Sequence, residues 1–204
     1  MSKPTGLLAP HDAEDWSLRD AAHFLWRTQF GATAAEIKAA HDAGLTKALD
    51  SLITPQEESE NFKEVEAILR EAAFDTGATE DLQAWWLHRI FYSANPLAEK
   101  LTLFWHNHFA TSNAKVRSIP HMAAQNDFFR AEALGSFRHL LKAMAKDVAM
   151  LIWLDSNANR KRHANENFAR EVMELFSLGE GNYTEEDIKQ AARAFTGWHV
   201  REDK

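Results

Sequence analysis

The sequence lacks cysteine and has little glycine or proline. Its 204 residues contain no Cys, 8 Gly and 5 Pro. Without cysteine, the chain has no disulfide bonds, no thiolate metal ligands and no cysteine nucleophile. Because glycine and proline are the residues of turns, their low share favours helices over turn-rich β architecture.

Positively charged residues are also fewer than negatively charged ones. Lys and Arg number 23 against 30 Asp and Glu, which gives a formal net charge of −7 at pH 7. A general nucleic-acid binder usually shows the opposite balance, because its affinity comes from contacts with phosphates. We therefore expect no nucleic-acid partner. The hydrophobic share of 45% and the charged share of 26% are typical of a soluble globular protein.

Long apolar runs are missing as well. The longest, residues 148–154, lies between Asp147 and Asp155. It is far shorter than the about 20 residues that a membrane-spanning helix needs. No apolar stretch follows Lys3 at the start, so the chain as given carries no signal peptide. We expect no membrane span and, by default, a cytoplasmic location.

Capping residues and apolar periodicity divide the chain into about ten helices. Ser17, Thr33 and Thr184 each precede an acidic residue by three positions, as in a capping box. No segment alternates between apolar and polar residues, so we expect little or no sheet. The sequence predicts one all-α domain over 1–204. Its helices lie near 18–29, 34–43, 45–53, 57–73, 80–93, 96–110, 119–134, 137–154 (broken near Asp147), 166–177 and 185–197, with loops at 111–118 and 155–164.

Two histidines on the helix predicted at 96–110 attract attention. At about 100° per residue, His108 falls on one apolar stripe and His106 points nearly opposite. Two histidines that point apart cannot hold one metal ion together. His108 is interpreted as a hydrogen-bonded core histidine, with a ligand or proton-transfer role as the alternative. The predicted stripe consists of Leu97, Leu101, Phe104 and His108.

Charged side chains follow one face of the helix predicted at 166–177. They are Glu166, Arg170 and Glu174, with Glu171 beside them. One interpretation is a solvated face with an i,i+4 ion pair. The other is the wall of a polar pocket that binds a hard cation or performs acid–base chemistry. The preceding loop, 160–163, is interpreted as a solvated basic surface, with an anion site as the alternative.

Several blocks of sequence add up to a family resemblance. They are residues 21–25 with 30–33, the block EKLTLFWHNHF at 99–109, residues 165–171 with 174–176, and 183–185 with 192–198. In this order they resemble the bacterial family DUF1800, a domain of unknown function. The resemblance brings no catalytic residue. It implies that the chain is the N-terminal portion of a longer architecture, and that an exported or envelope location is the alternative to the cytoplasm.

Two functions stay open at this point. The first is a non-catalytic scaffold or partner-binding module with a protein partner, favoured by the helical pattern and by the lack of a reaction-specific motif. The second is a metal-assisted, hydrolase-like enzyme. Its donor set suits a divalent ion such as Mn, Fe or Zn better than Ca. The candidate catalytic residues are His106, Glu166, Arg170 and Glu171, and the candidate metal ligands are His106, His108, Glu171 and Glu174.

Overall fold

The structure is a computed structural model that describes residues 12–200. In this part of the chain it contains α-helices and no strand, which confirms the all-α class. None of these helices is both long enough and apolar enough to cross a membrane. The helices are α1 (Leu18–Thr28), α2 (Ala34–Ala43), α3 (Leu45–Ile53), α4 (Glu60–Thr76), α5 (Thr79–Tyr92), α6 (Pro96–Phe109), α7 (Asn113–Val116), α8 (Ile119–Ala131), α9 (Phe137–Met144), α10 (Val148–Trp153), α11 (Asn167–Glu171) and α12 (Glu185–Ala194).

The helix starts follow the predicted caps. Ser17, Thr33 and Thr184 each accept a hydrogen bond from the backbone three residues on, and the acid at that position bonds back. These capping boxes satisfy N–H groups that the first helical turn leaves without a partner. The predicted break near Asp147 is confirmed, because α9 ends at Met144 and the side chain of Asp147 caps the next helix, α10.

Two segments differ from the prediction. The loop expected at 111–118 contains the short helix α7, which Ser112 caps. The helix expected at 166–177 is α11 followed by a π-helical turn, Val172–Ser177, in which the Leu178 N–H donates to the Met173 carbonyl five residues earlier. The wider turn rotates the side chains that follow it.

The core lies where α6 and α8 meet α9, α10 and the segment from α11 to Ser177. Its largest cluster contains three aromatic rings that contact one another, with Phe109 5.7 Å from Phe129 and 5.1 Å from Phe176 between centroids. A smaller cluster joins α11 to α12. The main cluster consists of Phe109, Phe129, Leu140, Met144, Met150, Phe168 and Phe176.

The predicted orientation of α6 is wrong. Its fully buried residues are Glu99, Thr102 and Phe109, whereas Phe104 is 53% exposed. Two of the buried residues are polar. Arg89 and Arg130, on other helices, supply the partners of Glu99, whereas the Thr102 hydroxyl donates to the Ala98 carbonyl of α6 itself. Apolar periodicity within one helix reveals neither. The other members of the predicted stripe are only half-buried: Leu97, Leu101 and His108.

Candidate functional site

A buried carboxylate, Glu99, holds α5, α6 and α8 together. Its Oε1 accepts hydrogen bonds from Arg89 Nε at 3.0 Å and from Arg130 Nε at 2.6 Å. A second bond joins Arg130 Nη2 to Glu99 Oε2 at 3.1 Å. An ionised carboxylate is costly to bury unless it is paired and hydrogen-bonded, and this one is both. Glu99 therefore has a structural role.

The indole ring of Trp85 lies at the centre of the same network. The ring is fully buried, and its Nε1–H donates to Glu66 Oε1 at 2.6 Å. Three guanidinium groups lie 5.1, 5.9 and 5.5 Å from the ring centroid: those of Arg70, Arg89 and Arg130. Their charges are balanced by three carboxylates, those of Glu66, Glu99 and Asp127. We call these seven residues the Trp85 network.

His106 lies at the edge of this network and is linked to it through Asn126. Arg130 donates to Asn126 Oδ1, which fixes the amide so that Nδ2 donates to His106 Nε2 at 3.0 Å. Because Nε2 accepts, the imidazole proton is on Nδ1. Burial, and then the positive charge of Arg130, lower the pKa of His106 to about 4. The imidazole is therefore uncharged at neutral pH.

His106 opens onto a cleft of about 490 Å³ between α5, α6, α7 and α8, which we call the His106 cleft. Aromatic and aliphatic side chains form part of its wall, and amides and hydroxyls form the rest. None of the lining side chains carries a charge when His106 is neutral. The lining residues include Trp85, Trp86, Leu82, Leu103, Met122, Thr79, Thr111, Ser112, Gln83, Asn107, Asn113 and Asn126.

Two N–H groups in the cleft have no hydrogen-bond acceptor among residues 12–200. One is the buried Nε1–H of Trp86, and the other is Nδ1–H of His106. The two rings are neighbours, with centroids 4.8 Å apart. A buried donor without an acceptor is uncommon and costs free energy. Of the two, only Nδ1–H of His106 has accessible surface, so it is the donor that an oxygen atom of a ligand in the cleft would reach.

His108 does not line this cleft. Its ring is half-buried, and its Nε2 lies 3.1 Å from the carbonyl oxygen of Phe176. An imidazole N–H that donates to a carbonyl fixes the ring orientation. The hydrogen bond expected of His108 is present and joins α6 to the π-helical turn, but the ring is only half-buried and not, as expected, in the core.

The charged residues of α11 form ion pairs at the surface. Arg170 donates from Nη2 to Glu166 at 3.2 Å, which is the i,i+4 pair expected from the sequence. It also donates from both Nη atoms to Glu185 of α12, at 2.9 Å each. Neither Arg170 nor Glu166 lines the His106 cleft. Their geometry joins two surface helices.

Glu171 and Glu174 lie near each other on the same segment. Burial, and then the negative charge of Glu174, raise the pKa of Glu171. Glu174 accepts a hydrogen bond of 2.9 Å from the hydroxyl of Tyr183. Within residues 12–200 no group of three or more His, Asp and Glu side chains is placed to hold a metal ion. The four predicted metal ligands are thus not brought together there.

The sequence analysis missed Glu99, Asn126 and Trp86 as parts of a site. One signal was present, because Glu99, Thr102, His106 and Phe109 repeat every three or four residues and so share a helix face. A charged, a hydroxyl and an imidazole side chain on the same face as a core phenylalanine indicate buried polar partners. The partners of Glu99 and His106 come from α5 and α8, so the sequence of α6 could not name them.

Comparison with known proteins gives one match. A family model described as "Protein of unknown function (DUF1800)" matches residues 23–204, which is most of the chain. No curated protein and no solved structure matches it. The match supplies a family without an activity, so the function rests on the geometry of the His106 cleft.

Proposed function

Since this chain belongs to the DUF1800 family of proteins of unknown function, we propose from the His106 cleft that it is a non-catalytic module that binds a small uncharged molecule. The observation that carries the proposal is a lining without charge in a protein with 26% charged residues. An ionic ligand would lose its hydration there and gain no counter-charge. An oxygen atom of a neutral ligand would accept from His106 Nδ1–H, and the apolar part of the ligand would lie against the Trp86 ring that lines the cleft.

Binding is favoured over acid–base catalysis by the state of His106. A general base works best when its pKa is near the working pH, and burial with Arg130 lowers the pKa of His106 to about 4. Its Nε2 lone pair is also occupied by the amide of Asn126. The proposal therefore agrees with the first of the two functions predicted from the sequence, a non-catalytic module. The protein partner that this function also allows stays a prediction.

The mixed lining narrows the class of ligand. Indole rings suit an apolar face, and free N–H groups suit hydroxyl or carbonyl oxygens. The amides of Gln83 and Asn107, both exposed, add donors and acceptors at the rim. A neutral sugar has an apolar face and a rim of hydroxyl groups. We therefore take neutral monosaccharides as the probes of the cleft.

The experiment compares one sugar ring in three charge states. Glucose, which is neutral, glucuronate and glucosamine are each titrated into ¹⁵N-labelled protein. The readout is the indole N–H signal of Trp86, which is assigned with the Trp86→Phe variant. N-acetylglucosamine serves as a second neutral sugar, with an additional amide oxygen. We expect a saturable shift with the neutral sugars and none with the charged ones. Asn107→Asp, which adds a charge at the rim, should weaken binding, whereas Asn167→Asp on α11 should not. Equal shifts with charged sugars, or no shift with any, would contradict the proposal.

A metal-assisted hydrolase is the second candidate, and one observation favours it. Two carboxylates, Glu171 and Glu174, are close enough for the charge of one to raise the pKa of the other. A cation near them would relieve this repulsion. Elemental analysis of the purified protein tests the candidate: stoichiometric metal that is lost in Glu171→Ala and in His106→Ala supports it. Metal that stays bound in both variants contradicts the predicted ligand set.

A further inference from the structure

A cluster of cations lines two adjoining cavities next to the turn at residues 160–163. One cavity of about 680 Å³ is lined by Arg160, Lys161 and His199. The other, of about 620 Å³, is lined by Lys161, Arg162 and Arg193. Lys161 and Thr196 belong to both, so the cavities are neighbours. No carboxylate of residues 12–200 lines either of them. The whole chain nevertheless has a net charge of −7.

The cations of this cluster are without acidic partners in the described part of the chain. Arg160, Lys161 and Arg162 form no ion pair and no side-chain hydrogen bond with residues 12–200. Within the same range, the guanidinium group of Arg193 donates to the amide oxygen of Gln190, at 2.6 Å, and pairs with no carboxylate. Like charges held together repel one another unless a counter-charge lies between them. The described residues that line the two cavities supply no such counter-charge.

The backbone that carries these side chains forms a closed turn. The turn is closed by two hydrogen bonds, from Arg160 N to His163 O at 3.2 Å and from His163 N to Arg160 O at 2.9 Å. Arg162 has φ 75°, in the left-handed region that non-glycine residues rarely adopt. Such a conformation persists only where the surroundings fix it.

The buried side chain of Asn159 helps to fix the conformation of this turn. Its Nδ2 donates to the Ala192 carbonyl of α12 at 3.0 Å, and its Oδ1 accepts from Asn165 N at 3.0 Å. The turn is thereby fastened to the helix that carries Arg193. The backbone positions that carry the two sets of cationic side chains are thereby held next to each other.

We propose that Arg160, Lys161, Arg162 and Arg193 bind a small ligand that carries at least two phosphate-like groups. Guanidinium groups bind such oxyanions through paired, charge-assisted hydrogen bonds. Two adjoining cavities that share Lys161 fit two linked anionic groups better than one. This site is separate from the His106 cleft and does not depend on the function proposed for it.

The test uses inorganic tripolyphosphate as the probe, with orthophosphate as the single-group comparison. Isothermal titration calorimetry on the full chain should show saturable binding of tripolyphosphate and much weaker binding of orthophosphate. Arg160→Gln with Arg162→Gln should weaken tripolyphosphate binding by about tenfold or more. Arg138→Gln with Lys142→Gln on α9 removes the same charge from two exposed side chains elsewhere and should change binding by less than about twofold.

Each other outcome would overturn the proposal. Absence of heat with tripolyphosphate means that the cluster is only a solvated surface. Equal loss in the two double variants means that overall charge, not this site, attracts the anion. A single-stranded oligonucleotide that binds as tightly as tripolyphosphate, with a steep salt dependence, means a general polyanion surface. Circular dichroism of each variant confirms that the helices are intact.

Discussion

Arginines occur in two contrasting settings in this protein. In the Trp85 network, each guanidinium group faces a carboxylate, and Arg89 and Arg130 share the buried Glu99. At the turn of residues 160–163, Arg160 and Arg162 are exposed and have no acidic partner among residues 12–200. The comparison shows that the same side chain holds helices together where its charge is balanced and is free for a ligand where it is not.

The largest effect should come from removing the shared carboxylate. Glu99→Ala leaves two guanidinium groups without their common partner in the interior. Loss of one member of a buried ion pair typically costs about 3–5 kcal/mol of the free energy of unfolding. Urea unfolding followed by circular dichroism measures it.

The matched control for this variant is Glu185→Ala, which removes a carboxylate that pairs with Arg170 at the surface. Exposed ion pairs contribute little because water screens them. We expect a change several times smaller than for Glu99→Ala. Similar losses in the two variants would mean that burial does not distinguish these carboxylates.

The two sides of α6 give the next contrast. Phe109 is fully buried among the rings of the core, and Phe104 is 53% exposed. Phe109→Ala should cost about 3–5 kcal/mol, whereas Phe104→Ala should cost less than about 1 kcal/mol. Thermal and urea unfolding of both variants check this. A larger loss of unfolding free energy in Phe104→Ala than in Phe109→Ala would contradict this orientation and support the one predicted from the sequence.

A smaller effect should appear as pH dependence. In the unfolded chain histidine titrates near about 6.5, and in the folded protein His106 titrates at about 4. Between these values the unfolded chain binds more protons, so stability is present above the higher value and is lost as pH falls toward the lower. From about pH 7 to about pH 5, His106 should account for a loss of about 2 kcal/mol.

His106→Gln provides the control, because glutamine offers Asn126 an acceptor oxygen but does not titrate. Urea unfolding of both proteins at the two pH values gives the difference that belongs to His106. The variant should lose less stability than the parent protein on acidification. Identical losses would show that His106 does not titrate abnormally.

The smallest effect on stability is expected at the basic turn. Arg160→Gln with Arg162→Gln removes two exposed, unpaired charges and should change the free energy of unfolding by less than about 0.5 kcal/mol. Differential scanning calorimetry detects such a change as a small shift in Tm. A strong destabilisation would mean that these arginines, like those of the Trp85 network, hold the fold together.

Local signals predicted the helices well. Capping boxes at Ser17, Thr33 and Thr184 mark their own helices because donor and acceptor lie three residues apart. The π-helical turn after Glu171 could not be predicted in this way, since its buried residue, Phe176, packs against Phe109 of the distant helix α6. Leu175, the residue before it, is 61% exposed.

The candidate site depends on contacts distant in sequence. His106 was identified as a candidate from the sequence, but its neutral state comes from burial and from Arg130, which lies on α8. The orientation of Asn126 likewise depends on Arg130. The sequence of α6 does not show which residues of α8 contact it. The sequence therefore identified His106 as a candidate but not its low pKa or its hydrogen bond with Asn126.

The most direct test is a titration of the His106 imidazole itself. With ¹⁵N-labelled histidine, long-range NMR correlation reports both the pKa and the nitrogen that carries the proton. The uncharged cleft requires a pKa of about 4 with the proton on Nδ1 at neutral pH. An imidazole that titrates at its ordinary value, or that carries its proton on Nε2, would contradict the account.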